Sequence, residues 1–317
     1  MASATMCESY AAPSTPVPAA TIPAVRLYVG GHGHRFGALE GDRCFSPAHP
    51  VSTTKPTHPE RVNLLLDSGA FSDKPQDRLT PAGALARQLA WERKAAVYWG
   101  AADWRSHALV SYDRLIDETW TPDGTRHKRR WSVLDAESAV AETVDAAAYL
   151  ASQRANVAPR KLVLAIQGVD AAQQTACAEA VLRYATPDDW LGFGGWCILG
   201  RYKSWLSTFW ATLHRVLPMT ADAGVRHVHL FGVLWLPALG GLLWLADRHG
   251  LTVSTDSSAP TRSASVTTEA KRKKAGARAE TWEQNVRWWQ HTLAHLRDTP
   301  YYRRPPMIPS VRQVTLF

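Results

Sequence analysis

Five short apolar runs in this chain each end in residues able to do chemistry. Leu66 leads into Asp67-Ser68-Gly69-Ala70-Phe71, Ser111 into Tyr112-Asp113, Ile166 into Gln167-Gly168, Phe193 into Gly194-Gly195, and Thr255 into Asp256-Ser257. An aspartate after a strand is most often a helix cap or a turn former, and Asp170 is read that way. Five polar strand ends facing one cavity are harder to assign to turns alone. Three carboxylates and a carboxamide in one cavity suit substitution at an anomeric carbon. One carboxylate attacks the sugar to form a covalent glycosyl intermediate, and a second handles the proton on the leaving group. Gln167 both donates and accepts hydrogen bonds, as do the peptide groups of Gly194 and Gly195, which is what the edge of a purine requires.

The elements that would position these groups follow from patterning. Strands are expected at 25–29, 63–66, 108–111, 162–166, 190–193, 227–231 and 251–255, several of them nearly all apolar, as strands buried on both faces should be. Helices are expected between them. Thr80-Pro81 gives a capping hydroxyl before a proline at the first helical position of a helix running to about Tyr98. Asp135 and Asp170 are expected to cap helices reaching about Arg154 and Tyr184, and further helices cover 203–216, 237–249 and 280–297. This alternation implies parallel strands with right-handed crossovers and a single (β/α)8 TIM-type barrel over 25–300, its eighth strand near 263–267. In such a barrel the active site lies at the carboxyl ends of the strands. Gly31-His32-Gly33 with Gly37 is not a dinucleotide-binding GxGxxG.

At 317 residues, with 45% hydrophobic and 20% charged residues, the chain is long and apolar enough for a barrel-sized core. Residues 1–24, rich in Ala, Pro, Ser and Thr and without a basic n-region, read as a disordered tail and not a signal peptide, and 301–317 as a C-terminal extension. The stretch 228–246 carries no charge, but Pro237 and glycines 232, 240 and 241 interrupt it, so a buried strand and helix are expected there and no membrane span. The cysteines Cys7, Cys44, Cys177 and Cys197 form no CxxC pair, which gives a cysteine-based zinc site no support and favours a reducing cytoplasm. The net charge of +8 fits a polyanionic partner. Its basic residues cluster at Arg126-His127-Lys128-Arg129-Arg130 and Lys271-Arg272-Lys273-Lys274, and Arg129, Arg130, Lys271, Arg272, Lys273 and Lys274 are candidates for contact with a nucleic-acid backbone; a solvated loop explains either run as well.

The segment Asp256-Ser257-Ser258-Ala259-Pro260-Thr261-Arg262 resembles the nucleophile segment of the tRNA-guanine transglycosylase superfamily, an Asp followed three residues later by Pro-Thr-Arg. Asp67-Ser68-Gly69-Ala70-Phe71 resembles that family's DSGGF segment, with Ala70 in place of a glycine. Gln167-Gly168 matches its QGG strand, with Val169 replacing the second glycine, Gly194-Gly195 resembles its Gly-Gly strand end, and Asp113 falls where its base-recognising aspartate should be. The order holds from about residue 60 to 262. The resemblance implies Asp256 as nucleophile and Asp67 as acid and base. It also implies that Ser68, Gly69, Phe71, Asp113, Gln167, Gly168, Gly194, Gly195 and Arg262 bind substrate. No cofactor is implied. The tRNA-acting members carry a zinc site of three cysteines and a histidine after the nucleophile, whereas no cysteine here follows Cys197. A compact zinc-free chain looks more like the DpdA-type paralogues, which place a 7-deazaguanine such as preQ0 into DNA. The partners implied are therefore DNA, in preference to tRNA, and a free 7-deazaguanine base.

Two other classes compete. A metal-dependent amidohydrolase would use His32-x-His34 after the first strand and a late aspartate such as Asp256, but the middle strands end in Gln and Gly in place of the remaining ligands. A non-catalytic nucleic-acid-binding protein could use the 14 tryptophans for stacking, although Trp205, Trp210, Trp244 and Trp288 recur at helical spacing and read as core. His227 and His229 read as core or loop residues within their strand.

Overall fold

The structure, a computed structural model, describes residues 23–30, 41–51, 55–73, 77–116, 118–120, 126–128, 131–197, 205–262 and 282–305. Eight parallel strands close into a barrel in the order β1 (Val25–Gly30), β2 (Gly41–Phe45), β3 (Val62–Leu66), β4 (Ala108–Val110), β7 (Lys161–Ile166), β8 (Trp190–Phe193), β9 (His227–Leu230) and β10 (Thr252–Ser257), with β10 returning to β1. The chain is thus a (β/α)8 barrel. A short antiparallel hairpin, β5 (Glu118–Trp120) with β6 (Arg126–Lys128), belongs to the connection after β4. The helices are α1 (Pro81–Trp99), α2 (Val133–Ser152), α3 (Arg154–Val157), α4 (Ala171–Leu182), α5 (Leu206–Asp222), α6 (Leu236–Asp247), α7 (Ala259–Arg262) and α8 (Trp282–Ala294).

The eighth strand differs from expectation. Residues 263–267 lie outside the described residues, and β2 completes the barrel between β1 and β3 instead. Its sequence, Gly-Asp-Arg-Cys-Phe, lacks an apolar run because Asp42 and Cys44 turn toward the polar interior, in register with Asn63 and Leu65. The Asp135 cap also shifts: Ser132 is the N-cap of α2, accepting from the Asp135 N–H, and its hydroxyl donates back to the Asp135 carboxylate at 2.7 Å. Thr80 and Asp170 cap α1 and α4 as expected. Residues 1–22 and 306–317 of the expected tail and extension lie outside the described residues. Ala24, placed in that tail, is buried and donates to the Ala294 carbonyl at 3.2 Å.

Alternation along each strand sorts side chains into two environments. Leu27, Leu64, Leu109, Leu164, Phe193 and Val228 face outward into the apolar layer beneath the helices. The inward set is mixed. Tyr28, Leu65, Val163 and Trp190 fill the middle of the barrel, while Arg26, Asp42 and Asn63 plug its amino end, Arg26 Nε donating to Asp42 at 2.7 Å and Asn63 to the same carboxylate at 3.2 Å. A barrel floor closed in this way confines ligand access to the opposite end.

Outside the barrel wall, Glu92 of α1 accepts from the Ser106 N–H at 2.8 Å and from Arg160 Nε at 2.9 Å, with both charged side chains nearly inaccessible. Burial alone would raise the Glu92 carboxyl, yet the bonds from Arg160 and Ser106 hold it below its usual range. Removing one partner of a buried ion pair leaves the other charge uncompensated. Glu92→Gln is therefore expected to cost about 3–5 kcal/mol in urea unfolding; a loss under about 1 kcal/mol would show that the pair is not what locks α1 to the chain before β7.

Candidate active site

The barrel's register delivers the polar strand ends to one rim. Asp67 extends β3 by one residue, its N–H donating to the Phe45 carbonyl at 2.8 Å, and Gly194 extends β8, donating to the Ile166 carbonyl at 3.0 Å. On β10, Ser254 pairs with His229 of β9, and Asp256 pairs with Tyr28 of β1, so these side chains share the inner face. Asp256 stands nearer the carboxyl end of β10 than Ser254. Its Oδ1 accepts from the Gly232 N–H at 2.9 Å and lies 3.2 Å from His229 Nε2. The Cys44 thiol of β2 lies near this carboxylate, and burial, then the charges of Asp256 and Asp67, push the thiol up.

Asp113 and Asp256 lie close enough to Asp67 to act on it electrostatically. Burial first, and the charges of Asp113 and Asp256 second, push the Asp67 carboxyl up to about 7, against opposing bonds from the Ser68 and Gly69 N–H groups. A carboxyl poised there can give up and take back a proton near neutrality. Asp113 is held differently: Ser68 Oγ donates to its Oδ1 at 3.2 Å and Gln167 Nε2 to its Oδ2 at 2.5 Å. Gln167 is fully buried, and among the described residues its Oε1 meets no donor.

Two glycines make this packing possible. Gly69 adopts φ +83°, and a Cβ there would stand 2.4 Å from Arg87 Nη2, which donates to the Ser68 carbonyl at 2.9 Å. Arg87 also pairs with Asp73 at 2.8 Å, and Tyr112 Oη donates to that same carboxylate at 2.9 Å, so the loop after β3 is clamped at both ends. At Gly194 a Cβ would fall 2.4 Å from Gln167 Nε2, leaving no room for any side chain. Below it, Gln174 donates to the carbonyls of Gly168 at 3.1 Å and Gly194 at 3.2 Å, and Gln88 of α1 donates to those of Leu66, Asp67 and Val110 at 3.0, 3.1 and 2.9 Å. Buried carboxamides thus hold the strand ends from behind.

The structure therefore brings together Asp67, Ser68, Gly69, Asp113, Gln167, Gly168, Gly194, Gly195 and Asp256. Phe71 sits on the short turn Ala70–Ser72, 43% exposed. Arg262 ends α7, the short helix that follows β10, and its side chain lies outside the described residues, as do Arg129, Arg130, Lys271, Arg272, Lys273, Lys274, His32 and His34. Among the described residues, no group of three or more His, Cys, Asp or Glu side chains is placed to hold a metal ion. His229, Cys44 and Arg87 escaped the sequence reading. For His229 a signal existed, since His227 and His229 share one face of a strand and that face had to be the interior.

No protein-family model matches the chain, and no curated protein does. Among solved structures, a protein from Burkholderia cenocepacia J2315 provisionally named a lyase/mutase aligns over 85% of this chain and 92% of its own, with 11% identity and a TM-score of 0.32. That likeness is too low to bear on activity. No helix among the described residues is long and apolar enough to cross a membrane.

The raised Asp67 carboxyl has a consequence for stability. A folded-state value near 7 against about 3.9 in the unfolded chain means that the folded protein binds the extra proton between those values, so stability is lost as pH rises through that window. Asp67→Asn lacks the ionising group. The thermal midpoint of the wild type should therefore fall relative to that of Asp67→Asn as pH is raised from about 5 to about 8; parallel curves for the two proteins would show that Asp67 ionises normally.

Proposed function

We propose that this protein is an enzyme, a base-exchange transglycosylase that replaces guanine in nucleic acid, DNA in preference to tRNA, by a 7-deazaguanine such as preQ0. The observation that carries the reading is the division of labour among clustered carboxylates at the barrel mouth. Asp67 is pushed toward neutrality, while Asp256 is surrounded by hydrogen-bond donors. Environments that drive neighbouring carboxyls apart are how one site acquires both an acid and a nucleophile.

In this reading Asp256 attacks the sugar carbon bearing the base, and the bond to the departing purine breaks as Asp67 supplies its proton. The incoming base then gives a proton to Asp67 and displaces Asp256, restoring both carboxyls. Asp113 and Gln167 form a bonded pair whose remaining acceptor, Gln167 Oε1, is buried and matches the N–H groups on the edge of a guanine-type base. Gly194 leaves that edge unobstructed. The hairpin β5–β6, in the connection that leaves the carboxyl end of β4, includes the basic residues Arg126, His127 and Lys128. The preference for DNA rests on the resemblance to the zinc-free paralogues.

Asp256→Asn should abolish both base exchange and any covalent adduct with nucleic acid. Asp67→Asn should slow exchange by roughly 10²–10⁴-fold while the protein stays folded. Incorporation of labelled preQ0 or guanine into DNA and into tRNA measures both variants, and an Asp256→Asn protein as active as the wild type would overturn the mechanism. Incorporation into tRNA alone would reassign the polymer and leave the chemistry in place. Binding to DNA should weaken steeply between about 50 and 200 mM salt.

A further inference from the structure

Beneath Asp256 a line of polar groups descends through the apolar middle of the barrel. His229 Nδ1 lies 2.8 Å from Ser254 Oγ, Ser254 Oγ lies 2.6 Å from His227 Nε2, and His227 Nδ1 lies 2.7 Å from Thr252 Oγ1. Thr252 Oγ1 is in turn 3.0 Å from the Arg226 carbonyl. His229 and Ser254 are fully buried. We infer that His229 is a positioning residue that commits Oδ1 of Asp256, together with the Gly232 N–H, and so selects Oδ2 as the attacking oxygen; this rests on the reading of Asp256 as nucleophile.

The argument is one of donors and acceptors. A carboxylate oxygen only accepts, so His229 Nε2 must carry a proton to sit 3.2 Å from it. The chain below allows this in either direction. If Thr252 donates to His227 Nδ1, then His227 Nε2–H donates to Ser254, Ser254 donates to His229 Nδ1, and His229 as a neutral ring keeps its proton on Nε2. If Thr252 instead donates to the Arg226 carbonyl, every bond reverses, His229 Nδ1 donates to Ser254, and Nε2 holds a second proton opposite the Asp256 charge. His227 remains neutral throughout, because burial, then His229, Arg26 and His107, disfavour its cation. The other groups around the His229 ring close it in. Tyr28 of β1 meets it edge-on at 6.0 Å, Phe231 meets it at 4.7 Å, and beyond Asp256 lie Cys44, Asp67 and Asp113.

The commitment of Oδ1 serves both halves of the exchange. On attack, Oδ2 forms the bond to the sugar carbon and Oδ1 becomes the carbonyl oxygen of the ester, still held by two donors. When the incoming base displaces Asp256, the electron pair of the broken bond returns to the carboxylate, and the same donors receive the charge on Oδ1.

Three measurements test this. Nitrogen-15 NMR of the protein without substrate should show His229 Nε2 protonated from about pH 6 to 8, the resonance being assigned by its loss in His229→Gln. An unprotonated Nε2 would overturn the inference whatever the activity. In single-turnover adduct formation, His229→Leu should be slowed on the order of 10²-fold with substrate affinity nearly unchanged. His229→Gln, which returns an N–H near Nε2, should recover most of that loss. A folded His229→Leu protein as fast as the wild type would also overturn the inference. Should His229→Leu fail to fold, Ser254→Ala removes only the support behind the ring and should shift the His229 Nδ1 resonance and slow the adduct severalfold; no change in either counts against the chain. A wild-type protein that forms no adduct while Nε2 keeps its proton overturns the transglycosylase reading and supports the bond to Asp256.

Discussion

The burial of Asp67 beside the charges of Asp113 and Asp256 is the constraint around which the mouth of this barrel is arranged. A buried carboxyl beside like charges does not ionise freely. The structure answers each carboxyl differently. Among the described residues, Asp113 receives a hydroxyl and a carboxamide, Asp256 a backbone N–H and an imidazole, and Asp67 backbone N–H groups of its own turn. The least supported carboxyl is the one whose proton is retained toward neutrality.

Such unequal support demands rigid surroundings, because each bond contributes little unless its partner is already in place. The surroundings are made of side chains that tie backbone to backbone. Gln88 gathers carbonyls from two adjacent strand ends, Gln174 does the same for the neighbouring pair, and Arg87 joins the loop after β3 to Asp73. All three project from helices, α1 and α4, so helix packing on the barrel and alignment of the rim are one event.

Much of this was legible in sequence because the outer face of a barrel strand is nearly all apolar. Leu162–Ile166 and Trp190–Phe193 announce themselves by composition, and the polar residue that ends each run then falls at the rim. Gly41–Phe45 did not, because its inward Asp42 and Cys44 and its buried Arg43 break the apolar pattern. Losing that strand hid Cys44 as a neighbour of Asp256. His229 was hidden for another reason. Period-two alternation places it inside the barrel, but that it lies beside β10 at the level of Ser254 depends on inter-strand register, which no single strand encodes. Asp135 as a cap failed by three residues, since Ser132 and Asp135 form a reciprocal pair and either could be read as the cap.

The hairpin β5–β6 grows from a pinned base, where the Trp131 N–H donates to the Ile116 carbonyl at 2.9 Å and Ile116 is buried against Ala136 and Ala139 of α2. Below that bond the chain is committed to the barrel, and the strands β5 and β6 pair with each other. Closing a longer loop across fixed ends costs only about 0.6 kcal/mol per doubling of its length. Changes in the length of the hairpin can therefore be absorbed above that bond while the carboxylates of the barrel mouth keep their supports.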